Sequence, residues 1–112
     1  MTEASARAPL FVDALSIAKW LVEHFDRSAG ALGPHVVAIA LDLLQAVTLA
    51  LKDRRREEQI ELADEHLIRL RVLLRLAADC GNLTAEQYGH VLSHVDAIGR
   101  QLGGWRRSLG AV

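Results

Sequence analysis

Between residues 60 and 77 the apolar side chains fall at Ile60, Ala63, Leu67, Leu70, Leu74 and Ala77, in steps of 3, 4, 3, 4 and 3. A strand would alternate, whereas this register places all six on one side of an α-helix. It is the spacing of a bundle seam, in which side chains enter gaps on a facing helix. Tyr88, Val91, Val95, Ile98 and Leu102 repeat it with steps of 3, 4, 3 and 4. Two such seams in one short chain demand helices packed on helices.

The rest of the sequence supplies the partners. In the first helix, expected from about Pro9 to Arg27, the apolar positions read are Phe11, Leu15, Ala18, Val22 and Phe25. SAGALG (Ser28 to Gly33) breaks the pattern, and Pro34 suits the first turn of a second helix, where its missing N–H is not needed. That helix is expected to run to about Asp53. Val36, Ala40, Leu43, Val47 and Ala50 form one stripe, with Val37, Leu41, Leu44 and Leu51 beside it. Ile39, Ala46 and Leu49 fill more of its circumference, so burial on most sides is expected. The third helix begins near Arg55 or Arg56 and ends near Cys80, where Gly81 is a terminator. Thr84 and Gln87 then make a capping box, with Leu83 and Tyr88 placed as its staple. The fourth helix runs from Ala85 to about Gly103. The expected fold is all-α, an up-down-up-down antiparallel four-helix bundle roughly 30 Å long. All 112 residues read as one domain, with 1–8 a loose leader and 106–112 a loose tail. Half the residues are apolar and only 4% aromatic, so the core must be Leu, Val, Ile and Ala.

One stripe per helix suffices for a small bundle, and this chain has more. Ile68, Val72 and Leu76 lie well away from the Leu67–Leu70–Leu74 seam, and Val37, Leu41 and Leu44 form a second stripe on the second helix. Exposed together they exceed the usual apolar patch of a monomer, and contact between copies of the chain is the expected remedy. Cover by the leader or by the first helix is the alternative.

Sites for chemistry are sparse. His90 and His94 are one turn apart, with His66 on the preceding helix, yet no acid or cysteine joins them as a ligand. Glu57, Glu58, Glu61, Asp64 and Glu65 read as a solvated acidic face, because Glu61 and Glu65 flank the seam and no Glu-x-x-His spacing is present. No nucleophilic constellation or phosphate loop is legible. The chain is expected not to be an enzyme, with no metal and no cofactor. A single cysteine, Cys80, fits a reducing compartment. The apolar segment Val36 to Leu51 is interrupted by Asp42, Gln45 and Thr48, and no signal peptide is read. A soluble, cytoplasmic protein away from membranes is the expectation.

Net charge is −1, from 13 basic and 14 acidic residues, so bulk charge gives no nucleic-acid signature. The arginines are grouped, however. Arg69, Arg71 and Arg75 sit in LIRLRVLLRLA; Arg100, Arg106 and Arg107 gather near the end. Arg71 borders the seam and is expected to pair with an acid such as Asp42 or Asp64. Arg75 lies farther out, freer to meet phosphate, and Arg69, Arg75, Arg100, Arg106 and Arg107 are the expected contacts for nucleic acid or a partner. Asp96 and Arg100 read as an i, i+4 pair. Gly99 and Gly103, one turn apart, are expected to open a groove for close approach of another backbone, with Gly104 beside them and Trp105 folding back as an anchor.

IGRQLGGW (Ile98 to Trp105), preceded by ADEHLIRLRVLLRLA (Ala63 to Ala77) and the EQY of Glu86 to Tyr88, resembles the accessory variability determinants of diversity-generating retroelements. It is also similar to the four-helix-bundle proteins encoded in intervening sequences of bacterial rRNA genes. The resemblance covers about residues 36–107. It implies a homopentameric barrel, binding to the retroelement's reverse transcriptase and to RNA or cDNA, and support of mutagenic reverse transcription without catalysis by this chain. A structural oligomer with no nucleic-acid role is the other reading.

Overall fold

The computed structural model describes residues 9–25 and 30–110, and the leader at 1–8 lies outside the described residues. The described residues form four helices: α1 (Pro9–Phe25), α2 (Leu32–Leu51), α3 (Arg56–Asp79) and α4 (Ala85–Gly110). No strand occurs among the described residues. Each helix packs against the next, and α4 closes the ring against α1. With short connections, this is the up-and-down four-helix bundle that the seams require.

The α3 and α4 seams enter the core as read. Ile60, Ala63, Leu70, Leu74 and Ala77 are fully buried, Leu67 nearly so, and Val91, Val95, Ile98 and Leu102 close on them from α4. Tyr88 packs at the margin. On α2 the stripe Val36, Ala40, Leu43, Val47 and Ala50 is buried. By length and composition α2 would also suffice to cross a membrane. In the bundle its inner stripe is covered by α1 and α3, while Leu41 and Leu49 remain exposed. Burial on most sides, expected for this helix, is therefore not what the single chain achieves.

On α1 the expected stripe is corrected. The buried residues are Leu10, Ala14, Ile17, Ala18, Leu21 and Phe25. Leu15 and Val22 are exposed, and Phe11 is half-buried. The reason is rotational: Leu10, Ile17 and Leu21 offer an equally good helical stripe one position away, and that one faces α2 and α4.

The helix ends follow local chemistry. After α3, Gly81 adopts φ +81°; its N–H donates to the Ala78 carbonyl and that of Asn82 to the Ala77 carbonyl. This is the Schellman closure that glycine favours. Thr84 N–H donates to Gln87 Oε1 (2.9 Å), and Gln87 N–H donates to Thr84 Oγ1 (3.1 Å). The capping box therefore forms in both directions. The α2–α3 connection uses the same closure without glycine, with Asp53 at φ +60° and Arg55 at φ +48°. α2 starts at Leu32, two residues ahead of Pro34, which still sits within the first turn.

The largest departure is at the C-terminus. α4 does not end near Gly103 but continues through Gly104, Trp105, Arg106 and Arg107 to Gly110. At 26 residues it is about 39 Å long at 1.5 Å per residue, and the bundle measures 45 Å along its long axis rather than 30. The expected loose tail is thus helix as far as it is described.

Thr84→Ala removes one half of the capping box. It is expected to lower unfolding stability by about 1 kcal/mol, seen as a lower urea midpoint at unchanged denaturant slope.

Candidate interaction surface

The helical extension of α4 runs alongside the start of α3, and three side-chain contacts join them. The Arg56 guanidinium lies 4.9 Å above the centroid of Trp105, an attraction between a cation and the ring face. Arg106 Nε donates to Glu61 Oε1 (2.9 Å) and its Nη2 to Oε2 (3.4 Å), a forked contact. Arg106 Nη1 reaches Asp64 Oδ2 at 3.5 Å. Trp105 packs against the edge of the core from within α4, so the chain does not fold back there as expected. Each glycine inside a helix costs about 1 kcal/mol relative to alanine. These contacts, with buried Leu102, supply what carries α4 past Gly103 and Gly104.

Farther up the same seam, Arg71 Nη1 donates to Asp96 Oδ1 at 2.5 Å. The partner is neither Asp42 nor Asp64, because Arg71 leans toward α4 rather than along α3. Gly99 makes room for it: a Cβ there would lie 3.0 Å from Arg71 Nη2 and 3.4 Å from Leu67 Cδ2. The glycine thus admits a crossing guanidinium, not another backbone as expected. Gly103 likewise lies under the Arg107 side chain of its own helix, and Gly104 has only Arg107 nearby. With Asp96 taken by Arg71, the expected Asp96–Arg100 pair does not form.

The six arginines therefore differ. Arg75 is paired through Nε with both oxygens of Asp79 at 3.2 Å, in the open. Arg106 is engaged by Glu61 and Asp64. Arg71 is engaged by Asp96. Arg69, Arg100 and Arg107 make no ion pair among the described residues. The α3–α4 seam holds two open grooves. One, of about 400 Å³, is lined by Asp64, Leu67, Ile68, Arg71, Asp96, Gly99 and Arg100. The other, of about 470 Å³, is lined by Glu57, Glu61, Gly103, Arg106, Arg107 and Leu109. Arg106 stands between them.

Apolar side chains crowd the outside. Ile68, Val72 and Leu76 are 56%, 64% and 47% exposed, so the second stripe of α3 faces water in the single chain. On α2, Leu41 is exposed while Val37 and Leu44 are half-buried against the core. The sequence reading missed Val12, Leu15 and Val22 as an outer ridge of α1. For Leu15 and Val22 helical spacing was the available signal, and it is read above as a core stripe; Val12 belongs to no stripe read from the sequence. Arg56 was missed too, since nothing local announces its contact with Trp105.

Three of the histidines make ring contacts, whereas the Nδ1 of His66 is buried without a hydrogen-bond partner among the described residues. Trp20 stacks on His24 at 4.8 Å and 9°, and His90 meets His94 edge-on at 4.8 Å. His24 Nε2 lies 2.8 Å from the Asn82 carbonyl oxygen, tying the end of α1 to the α3–α4 turn. No group of three or more potential metal ligands occurs among the described residues.

The molecule is a small helical bundle that carries charged grooves and apolar ridges on its outer faces. The bAvd-like family model matches residues 13–109, and the chain belongs to that family. Membership suggests an accessory protein of diversity-generating retroelements, a role that is generally non-catalytic. No curated protein and no solved structure matches the chain.

Trp105→Ala deletes the anchor of the extension. Thermal unfolding is expected to show a loss of about 2 kcal/mol, below the range for a fully buried tryptophan because this one is only partly covered. Circular dichroism of the variant is expected to show reduced helix content as α4 frays beyond Gly103.

Proposed function

We propose that this chain is a non-catalytic accessory factor that assembles with copies of itself and binds a reverse transcriptase together with RNA or cDNA. The family match over residues 13–109 carries the reading. A cytoplasmic setting goes with it, as does a ring of subunits, five in number by resemblance.

Two physical observations support assembly. The outer ridge Ile68, Val72 and Leu76 is large, apolar and uncovered, and monomers rarely leave such patches in water. A second uncovered set, Val12, Leu15, Val22, Leu41 and Leu49, lies on α1 and α2. Two unlike apolar faces on one chain suit head-to-tail contacts, which close into a ring when the rotation allows.

Nucleic-acid contact would rest on Arg69, Arg100 and Arg107, the three of the six whose guanidinium groups are uncommitted. Arg75 joins them by exchanging its exposed Asp79 contact, which is worth little in water. Neutralising phosphates releases counterions, so affinity would fall steeply with salt. A ring repeats each arginine in every subunit and so raises the local potential despite a chain charge of −1.

Sedimentation velocity is expected to find a multiple of the 12.3 kDa chain, and Val72→Glu is expected to reduce it toward the single chain with helix content unchanged. A monomer at every concentration would remove the assembly. Gel shift with structured RNA, with and without a retroelement reverse transcriptase, tests the rest. Binding at low salt is expected, and no shift with either partner would refute the accessory reading in favour of a purely structural bundle.

A further inference from the structure

The groove between α3 and α4 holds two carboxylates and two guanidinium groups: Asp64, Asp96, Arg71 and Arg100. The obvious pairing would neutralise Arg100, because Asp96 stands four residues before it, at the spacing that favours an intrahelical ion pair. The observed pairing is different. Asp96 accepts from Arg71 across the seam, and Asp64 is engaged by Arg106 from farther down α4. Both acids bordering the groove are taken, and Arg100 has no ion pair among the described residues.

We infer that Arg71 and Arg106 act as positioning residues that sequester Asp96 and Asp64, keeping Arg100 free as the anion-binding group of an α3–α4 groove that receives a phosphate of the bound nucleic acid. The inference rests on the nucleic-acid reading above and adds to it a site and a mechanism. Gly99 is part of the device. It is the position over which the Arg71 guanidinium passes, so any side chain there competes for the space that the Arg71–Asp96 contact needs. Leu67 and Ile68 line the same groove and supply an apolar wall beside the phosphate position. Arg71 is committed to Asp96, and Arg106 is shared between Glu61 and Asp64, which leaves Arg100 as the guanidinium group of the three without an ion pair among the described residues.

The consequence is counter-intuitive and therefore testable. Removing Arg71 should silence Arg100, since it releases Asp96 to the neighbour one turn away. Phenylglyoxal labelling of the full chain, read residue by residue by mass spectrometry, reports each free guanidinium without any nucleic acid. Arg100 is expected to label readily in the wild type and severalfold more slowly in Arg71→Met, which keeps the apolar stem. Gly99→Val crowds the same guanidinium without changing any charge and is expected to slow Arg100 labelling in the same direction. Adding Asp96→Asn to either variant is expected to restore labelling. With a structured RNA as probe, the slope of log affinity against log salt should shrink by about 1 in Arg71→Met, as for loss of one phosphate contact. It should recover in Arg71→Met/Asp96→Asn although Arg71 is still missing.

Equal Arg100 labelling in the wild type and both single variants would overturn the sequestration. So would slowed labelling that Asp96→Asn does not relieve. If the labelling follows the expected order but the salt slope is unchanged in Arg71→Met, the groove is not a phosphate site and the inference fails there. Failure of the wild type to bind RNA at all would instead remove the nucleic-acid reading, and the phosphate assignment with it, while the labelling still decides the ion-pair exchange.

Discussion

The α3 seam is the constraint on which the rest of this structure depends. Six side chains from Ile60 to Ala77 are 3% exposed or less, and α3 packs against both α2 and α4. Helix geometry then leaves little choice elsewhere. Once one stripe faces inward, residues half a circumference away must face out, and these are Ile68, Val72 and Leu76. The most apolar outer ridge of the bundle is thus the direct counterpart of its tightest inner seam. Ala63 and Ala77 are fully buried in this seam, in a core built with few aromatics.

Along α4 a second logic operates. Gly99, Gly103 and Gly104 weaken the helix intrinsically, yet it continues unbroken to Gly110. The offset comes from across the seam, through Arg56 on Trp105 and Arg106 on Glu61 and Asp64. These contacts are partly exposed, so each is modest in water. Their combined effect is to hold the extension against α3 and turn what would be a solvated tail into one wall of a groove. The same contacts decide which arginines are committed to the fold and which are available to a partner.

That division gives the family membership a physical content. An accessory protein acts by presenting surfaces in fixed relation to one another. Here apolar ridges occupy the outer faces of α1, α2 and α3, while the charged grooves run between α3 and α4. The two kinds of surface meet at Ile68, which belongs to the α3 ridge and also lines the α3–α4 groove.

The four helices, the capping box at Thr84 and Gln87, the Gly81 terminator and the inner stripes of α2, α3 and α4 were all legible in the sequence. Each depends on residues within a turn or two of one another, and short-range spacing encodes that kind of relation directly. The roll of α1 was not legible, because two stripes one position apart were equally apolar and only packing against α2 and α4 chose Leu10, Ile17 and Leu21 over Leu15 and Val22. Nor was the length of α4, since glycine propensity argued for a stop and the stabilising partners lie on another helix. The choice of Asp96 over Asp42 or Asp64 for Arg71 was likewise made in three dimensions, by the space above Gly99. Local spacing therefore determined what the helices are, and contacts between distant segments decided which of their faces and charges remain open.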